Sequence, residues 1–473
     1  MDLKDKIPIH VGLFGHIDSG KTAVAARLSE IISTAGIDAH PQSKERGITI
    51  DLGFTSFSFE KYIITLVDGP GHADLIKISA SSIEIIDLAI IVIDINKGPQ
   101  VQTGEHIIMI ESLNIQKIIV VLNKIDIFRG DLKTQIEKIR DFFATTSFGP
   151  DIPIFAVSAK NEKGIDELKQ GIVEIVKNLQ IKRDVEGALV IPIDHHFLIK
   201  GMGAIITGTI LKGQLKIGQN IDILPINAQG RVKSIEVFHE NVNSAKAGDR
   251  VGINLKNVDV KKVYRGCIAT DDKNSFNFCE IVEVIVNNNK LFKSDTRFGT
   301  QVHVTIGMNT IAANIYPYYE LNEKRIQTTI KNKGEEFKAF LWFNDKVLIQ
   351  KERNIMLISR LDLPPTTLRI LGSARLIKVH DKADPPIIFK YKMKQGRVKN
   401  PDHSQGIVCV GLAQSAIGAK KIVGKKLEPP FTKILETFGT KGAVIVGVES
   451  KVDVKINEAV ILKELRSFRL KKI

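Results

Sequence analysis

The sequence predicts a multidomain chain of α/β plus all-β class: a P-loop domain with a mostly parallel sheet and flanking helices, then three small β-barrel domains. Three observations carry this prediction. The chain has 473 residues, too many for one compact core. Up to about residue 182, apolar strand-like runs ("HVGLFG", "YIITLVDG", "LAIIVID", "KIIVVLNK", "IPIFAVSA") alternate with amphipathic stretches of helical length, the pattern of a parallel sheet covered on both faces. After Arg183 the helical period nearly vanishes, and short β-branched runs such as "GAIITGTILKG" and "RVGINLKNV" recur between Gly, Asn and Asp, as in closed antiparallel sheets. Breaks in these patterns divide the chain into domains at 1–182, 183–272, 273–387 and 388–473. The last break falls at "HDKADPPI", where Pro and charge interrupt the β pattern.

Composition bounds the rest. Hydrophobic residues make up 43% and charged residues 25%, as in an ordinary globular protein. No apolar run reaches the ~18–20 residues of a membrane span, and "MDLKDKIPIH" lacks the apolar core of a signal peptide. The expected setting is cytoplasmic, without a membrane partner, and a monomer is expected. The cysteines Cys267, Cys279 and Cys409 are scattered and not in CxxC spacing, so buried free thiols are expected rather than disulfides or zinc. The net charge of +14 is uneven: residues 388–473 hold 18 Lys+Arg against 7 Asp+Glu, a net +11. That concentration points to a polyanion partner, RNA foremost.

The chemistry-bearing motifs sit where the predicted strands end. Gly15–Thr22, "GHIDSGKT", fits G-x-x-x-x-G-K-[ST] between a strand and a helix. Backbone N–H groups of Asp18, Ser19 and Gly20 can curl around a phosphate, assisted by the helix N-terminus. Lys21 reaches the β and γ phosphates, and the Thr22 hydroxyl ligates Mg²⁺. "RGITI" supplies Thr49 as a second hydroxyl for Mg²⁺. "VDGPGH" supplies Asp68, which reaches Mg²⁺ through water, and Gly71, whose amide can approach a γ-phosphate. Thr49 and Gly71 bond well only when that phosphate is present, which makes the two loops a switch. "NKID" places Asn123, Lys124 and Asp126 at a strand end. The Asp126 carboxylate can accept from the guanine N1–H and amino group together, and adenine offers no such pair. "SAK", Ser158–Ala159–Lys160, fits a loop packing on the base. The expected cofactors are therefore GTP/GDP and Mg²⁺.

These motifs, in this order, resemble those of the translational GTPases. The resemblance implies that His72, the last residue of "DGPGH", positions the attacking water. No arginine finger is evident in the chain, which suggests slow intrinsic hydrolysis accelerated by the ribosome. Three departures from the ordinary elongator narrow the family: Ser19 where most members carry His, Gly69 where most carry Cys, and a short Ser33–Phe54 stretch. All three are similar to the selenocysteine-specific elongation factors of archaea and eukaryotes. So are "IPIDHHFLIKGMGAIITGTILKG", with Asp194 and His195 where the ordinary elongator shows Gln-Asp, and "AGDRVGINLKNV", with Arg250 where it has Asn. "RLDLPPTTLRILG" resembles the family's third domain.

The resemblance implies a factor that binds selenocysteinyl-tRNA and delivers it to the ribosome at recoded UGA codons, with GTP hydrolysis to GDP and phosphate releasing the factor. It implies that the second domain takes the aminoacyl end and the third the acceptor arm, while the basic fourth faces RNA or the ribosome. The mRNA selenocysteine-insertion element, reached directly or through an adaptor protein, is a further expected partner. A selenol is a stronger acid than the Cys thiol, whose pKa is about 8.5, so the amino acid arrives as a selenolate. Arg250 and His195 offer cationic donors to it, and Asp194 favours the protonated His195. Asp194 and His195 also read as a merely structural pair. Among rivals, an initiation-factor gamma subunit carrying initiator tRNA often has a Cys-rich zinc insertion that is absent here. The three departures argue against an ordinary elongator, the basic fourth domain against a GTPase regulating a metabolic enzyme, and the β setting of "DHH" against a phosphoesterase, which needs further Asp and His ligands in an α/β setting.

Overall fold

Strands whose residues are apolar on both faces need cover on both sides, and the first 182 residues supply it. The computed structural model describes residues 6–32, 53–69, 85–112, 114–199, 203–331, 334–351, 355–449 and 453–472. Its first sheet contains β1 (Ile7–Phe14), β2 (Ile31–Ile32), β3 (Gly53–Phe59), β4 (Tyr62–Asp68), β5 (Leu88–Asp94), β6 (Ile118–Asn123) and β7 (Ile154–Ala156) in the order β2-β3-β4-β1-β5-β6-β7. β1 pairs in parallel with β4 and β5, β5 with β6, and β6 with β7. β2 and β3 add an antiparallel edge.

Around this sheet lie α1 (Lys21–Leu28), α2 (Val101–Ser112), α3 (Leu132–Ala144) and α4 (Ile165–Lys177). One core joins Phe14, Ile91 and Val120 to Ile107 and Met109 of α2 and Phe143 of α3. The other joins Val11, Leu13 and Ile90 to Val24 of α1 and Leu168 and Ile172 of α4. Helix α4 buries Leu168, Ile172 and Val176 at i, i+4 and i+8 while Gln170 and Glu174 face water, the stripe of a covering helix. Helix α3 starts at Asp131, whose side chain accepts from Thr134 N at 2.8 Å and so satisfies an orphan donor. The parallel register brings Asp68 beside Leu13 and Asn123 beside Asp94, so the carboxyl ends of these strands share one edge.

The second domain is a barrel of β8 (Val190–Ile199), β9 (Gly203–Thr209), β11 (Asn220–Leu224), β12 (Ala228–Val237), β13 (Glu240–Val242), β15 (Arg250–Lys256) and β16 (Ile268–Thr270); β10 (Gln214–Lys216) and β14 (Ser244–Lys246) form a small separate sheet. The strand order is β11-β16-β8-β9-β15-β12-β13, and β11 returns to pair with β12, which closes the ring. Its core is aliphatic, with Ile191, Ile206, Ile223, Ile235 and Ile253 buried. In the third domain, Thr300–Ile306, Ile355–Ser359, Ile370–His380, Phe276–Asn288, Glu336–Gln350 and Asn309–Leu321 follow one another, and the first pairs with the last. That closes a second barrel around Val282, Val284, Val302 and Phe343. Closure pairs the strands of each ring on both sides, with β13 attached outside the first ring through β12.

Packing gathers residues 1–317 and 329–383 into one unit and 318–328 with 384–472 into another. The hairpin arm 318–328 thus departs from the predicted 273–387 domain. The reason is pairing: within Lys324–Gln327, Ile326 bridges in parallel to Phe389 of Ile387–Asn400, and Ile326 is fully buried. In the C-terminal unit, Ile387–Asn400 pairs with Ala459–Arg469 on one side and Ile407–Val410 on the other, followed by Ala443–Val448 and Phe431–Phe438. Bridges Lys426–Lys433 and Leu427–Leu462 complete a third ring. All three cysteines are free and buried, and burial pushes the Cys279 and Cys409 thiols up to about 12. Among the described residues no helix is long and apolar enough to cross a membrane.

Ile326→Ala should cost about 2–4 kcal/mol, all of it in the C-terminal unit. A thermal melt should show a lower transition for that unit and an unchanged one for the rest; a uniform shift of the whole curve would contradict this division.

Candidate functional site: a nucleotide loop and a buried ionic cluster

The loop between β1 and α1 is built by residues that tolerate unusual backbone. Asp18 and Gly20 have φ of 60° and 90°. A Cβ at position 20 would lie 2.2 Å from Asn123 Nδ2, so only glycine fits there. Lys21 is buried and its Nζ donates to Gly15 O at 3.2 Å and His16 O at 3.1 Å. Burial pulls its pKa down, with Asp68 and Asp18 opposing. Thr22 Oγ1 donates to Asp68 Oδ2 at 2.6 Å, which unites the hydroxyl and carboxylate predicted for one metal. The Ser19 hydroxyl is buried and has no hydrogen-bond partner.

Across the loop, Asn123 Nδ2 donates to Ser19 O at 3.0 Å, and its Oδ1 accepts from Ala159 N at 3.1 Å. Ser158 Oγ donates to Asp126 Oδ1 at 2.7 Å and so orients that carboxylate. Lys124, with φ of 70°, bonds Asp94 Oδ2 at 2.9 Å, which lies next to Asn123 in register. A pocket of about 480 Å³ opens between Gly20, Ala23, Arg27, Asp126 and Lys160. The structure therefore gathers Asp18, Ser19, Gly20, Lys21, Thr22, Asp68, Asn123, Lys124, Asp126, Ser158, Ala159 and Lys160 on one edge of the sheet. Thr49, Gly71 and His72 lie outside the described residues.

The second site is in the barrel. Asp194 and His195 are on β8, where the register with β9 shifts between Ile193 and His195, and Arg250 opens β15. Arg250 Nη1 donates to Asp194 Oδ2 at 2.5 Å and Nη2 to Oδ1 at 3.2 Å. Thr207 Oγ1 also donates to Oδ1, and His195 Nδ1 stands 3.0 Å from it. Burial alone would raise the Asp194 pKa, but Arg250 and His195 hold the carboxyl well below the usual carboxylate range. Over the guanidinium lies Phe54 of β3, its ring centre 3.4 Å from Arg250 Cζ, a cation–π stack.

Residues 6–178 match the Elongation factor Tu GTP binding domain family, and residues 203–270 match Elongation factor Tu domain 2. Residues 279–380 match domain III of the archaeal selenocysteine-specific elongation factor. The chain is 40% identical to the selenocysteine-specific elongation factor of Methanocaldococcus jannaschii, over 99% of both chains. The chain belongs to the selenocysteine-specific elongation factors. A mouse factor of that name is 36% identical over 65% of this chain and 56% of its own. The crystal structure of elongation factor SelB from Methanococcus maripaludis with the GTP analogue GppNHp aligns with a TM-score of 0.78, at 36% identity, over 98% of this chain and 99% of that one. Membership carries GTP binding and hydrolysis.

For a selenocysteine-specific factor, two features of this geometry were not legible in the motifs. Arg250 is not a bare cation, since its fork is engaged by Asp194 and its face by Phe54. Phe54 reads in the sequence as one more apolar strand residue, and nothing there signals its stacking. The second feature is on α2. His106 Nδ1 accepts from Gly15 N at 3.2 Å, and burial, then Lys21, drives its pKa down to about 3, so the ring is neutral and can accept. Next to it, Glu105 Oε1 accepts from Arg369 Nε at 2.9 Å and Oε2 from Nη2 at 3.0 Å, both side chains buried. Helix α2 thereby touches the phosphate loop and the third domain with consecutive residues.

Asp126→Asn should weaken GTP binding and improve use of xanthosine triphosphate, because an amide donates where the carboxylate accepted. A nucleotide titration showing unchanged guanine preference would sink the assignment of Asp126.

Proposed function

We propose that this factor binds selenocysteinyl-tRNA in its GTP form, carries it to the ribosome at recoded UGA codons in the cytosol, and leaves when GTP becomes GDP and phosphate. The observation that carries this reading is the Asp194–Arg250–His195 cluster. Arg250 is a buried cation whose fork is held by Asp194, and the His195 ring stands beside the same carboxylate. A selenolate suits such a site and a neutral seryl hydroxyl does not, because it cannot offset the desolvation of a cation.

The residues of the loop divide the work at the nucleotide. Backbone amides of Asp18, Ser19 and Gly20 with Lys21 hold phosphate oxygens, and Asp126, fixed by Ser158, selects guanine. Thr22 and Asp68, already in contact, are hard oxygen donors that fit Mg²⁺, with Thr49 as a further hydroxyl. When bound, the ion would neutralise charge developing on the phosphates. Gly71 approaches the γ-phosphate, and His72 orients the attacking water. The second domain takes the aminoacyl end, the third the acceptor arm. The C-terminal unit, which carries most of the net charge, faces RNA: the ribosome, or the mRNA selenocysteine-insertion element directly or through an adaptor.

His72→Ala should leave GTP binding near normal and remove most ribosome-stimulated turnover. Wild-type single-turnover rates on programmed ribosomes would overturn its role.

Arg250→Ala alone strands a buried carboxylate, a change that costs about 3–5 kcal/mol in comparable pairs. Asp194→Asn with Arg250→Gln removes both charges together, and His195→Ala removes the ring. With charge-assisted bonds contributing about 1.5–3 kcal/mol each, either variant should weaken selenocysteinyl-tRNA binding on the order of 10–100-fold. Seryl-tRNA binding should barely change. Dissociation constants for both tRNAs in a non-hydrolysable GTP analogue check this; equal losses for the two would make the cluster purely structural.

A further inference from the structure

The C-terminal unit contains a cation cluster arranged around one carboxylate. Ile387–Asn400 and Ala459–Arg469 pair antiparallel, with Lys390 opposite Arg466, Lys392 opposite Glu464 and Lys394 opposite Leu462. Directly opposed residues share a face and alternate residues repeat it, so Lys390, Lys392, Lys394, Glu464 and Arg466 stand together. At one end this face turns into core, where Val398, Val460 and Leu462 are buried; beyond it, Lys390, Lys392 and Arg466 are exposed. Lys425, from the segment that closes the ring through Leu427 and Leu462, reaches the same carboxylate.

Glu464 is buried and bonds three cations. Lys425 meets Oε1, Arg466 Nη2 lies 3.1 Å from Oε2, and Lys394 Nζ lies 3.6 Å from Oε2. Its carboxyl pKa is held down to about 2, by Lys425 first and by Arg466 and Lys394, so the charge persists throughout the neutral range. Three cations share one anion, and Lys390 and Lys392 add two more beside it. Positive charge therefore exceeds negative on a face whose cations have been brought into one constellation. A diffuse solvated surface would show no shared organiser. Aromatic rings are scarce on this face: Phe468 lies under Lys390 Nζ at 5.4 Å from its centre. Cations without open rings read phosphates rather than bases.

We propose that the face of Lys390, Lys392, Lys394, Lys425 and Arg466, organised by Glu464, is a binding site for the sugar–phosphate backbone of a folded RNA. The proposal rests on the reading of the C-terminal unit as RNA-facing and names where on that unit the RNA is held. Glu464 positions the long side chains in advance, which lowers the entropy lost when a phosphate engages them. Its neighbours then exchange solvent counterions for backbone phosphates.

The test compares two full-length double variants of equal charge. Lys394→Gln/Arg466→Gln alters the face; Lys441→Gln/Lys455→Gln alters a turn and a loop elsewhere in the unit. Lys392→Glu, at an exposed position, serves as a second face variant that leaves the bonds to Glu464 in place. Binding of uncharged selenocysteine tRNA and, separately, of ribosomes is titrated against salt, and the two arms distinguish tRNA from ribosomal RNA as the source of the backbone. The face variants should lower the log–log salt slope by roughly 0.7–0.9 for each phosphate no longer neutralised in at least one arm, while the Lys441/Lys455 variant retains the wild-type slope. Equal reductions in both double variants would overturn the site while leaving an RNA-facing unit. Wild-type slopes in every variant and in a further full-length variant with Lys420, Lys421, Lys433 and Lys463 all changed to Gln would overturn that underlying reading as well.

Discussion

The carboxamide of Asn123 is the bond on which the nucleotide end depends. One buried side chain donates to the phosphate loop at Ser19 O and accepts from the base loop at Ala159 N. Two loops separated by more than a hundred residues are thereby a single body. The absence of a Cβ at Gly20 is part of the same bond, since a methyl group there would occupy the amide nitrogen's place. A preformed cradle of this kind loses little freedom when a phosphate enters, and the parallel register supplies it by ending β1, β4, β5 and β6 on one edge.

Two buried ion pairs work on a different principle. Desolvation largely cancels the Coulomb gain of such pairs, so they add little net stability. What Glu105–Arg369 and Asp194–Arg250 do is forbid other arrangements, because separating either strands a charge inside the protein. The sign for Asp194 follows from its depressed pKa. Its stabilisation is fully present above the unfolded carboxylate value of about 3.9 and is lost only as pH falls toward the folded value, so the pair is intact at neutrality. His106 obeys the same logic in the opposite sense: a charged ring would be unpaired beside Lys21, and burial keeps it neutral.

Much of this architecture was legible in the residues. Alternating apolar and amphipathic stretches predict the covered parallel sheet, and β-branched runs with Gly and Asn punctuation predict closed barrels, because both signals are periods of local sequence. The described motif residues, Asp18–Thr22, Asp68, Asn123, Lys124, Asp126 and Ser158–Lys160, converge for the same reason: each lies close to a strand end. What local sequence does not encode is pairing between distant segments. The arm 318–328 reads as part of a third β domain because its strand character says nothing of its partner, which is Phe389. Phe54 and Arg369 read as ordinary core and ordinary charge, since their roles come from residues about 200 and 260 positions away.

The position of Phe54 matters beyond packing. It sits one residue after Gly53, and β3 pairs Gly53 with Asp68 and Phe54 with Val67. The residue that stacks on the Arg250 guanidinium is therefore adjacent, on one hydrogen-bonded ladder, to the residues flanking the carboxylate that holds Thr22. A sheet ladder resists shear over so short a span, since sliding by one residue would turn every side chain to the opposite face. Displacement of β3 at the nucleotide edge must consequently displace the Phe54 ring against the barrel. Arg250, held from below by Asp194 through two hydrogen bonds, cannot follow without breaking them. Nucleotide edge and ionic cluster are thus joined by one strand and one aromatic face.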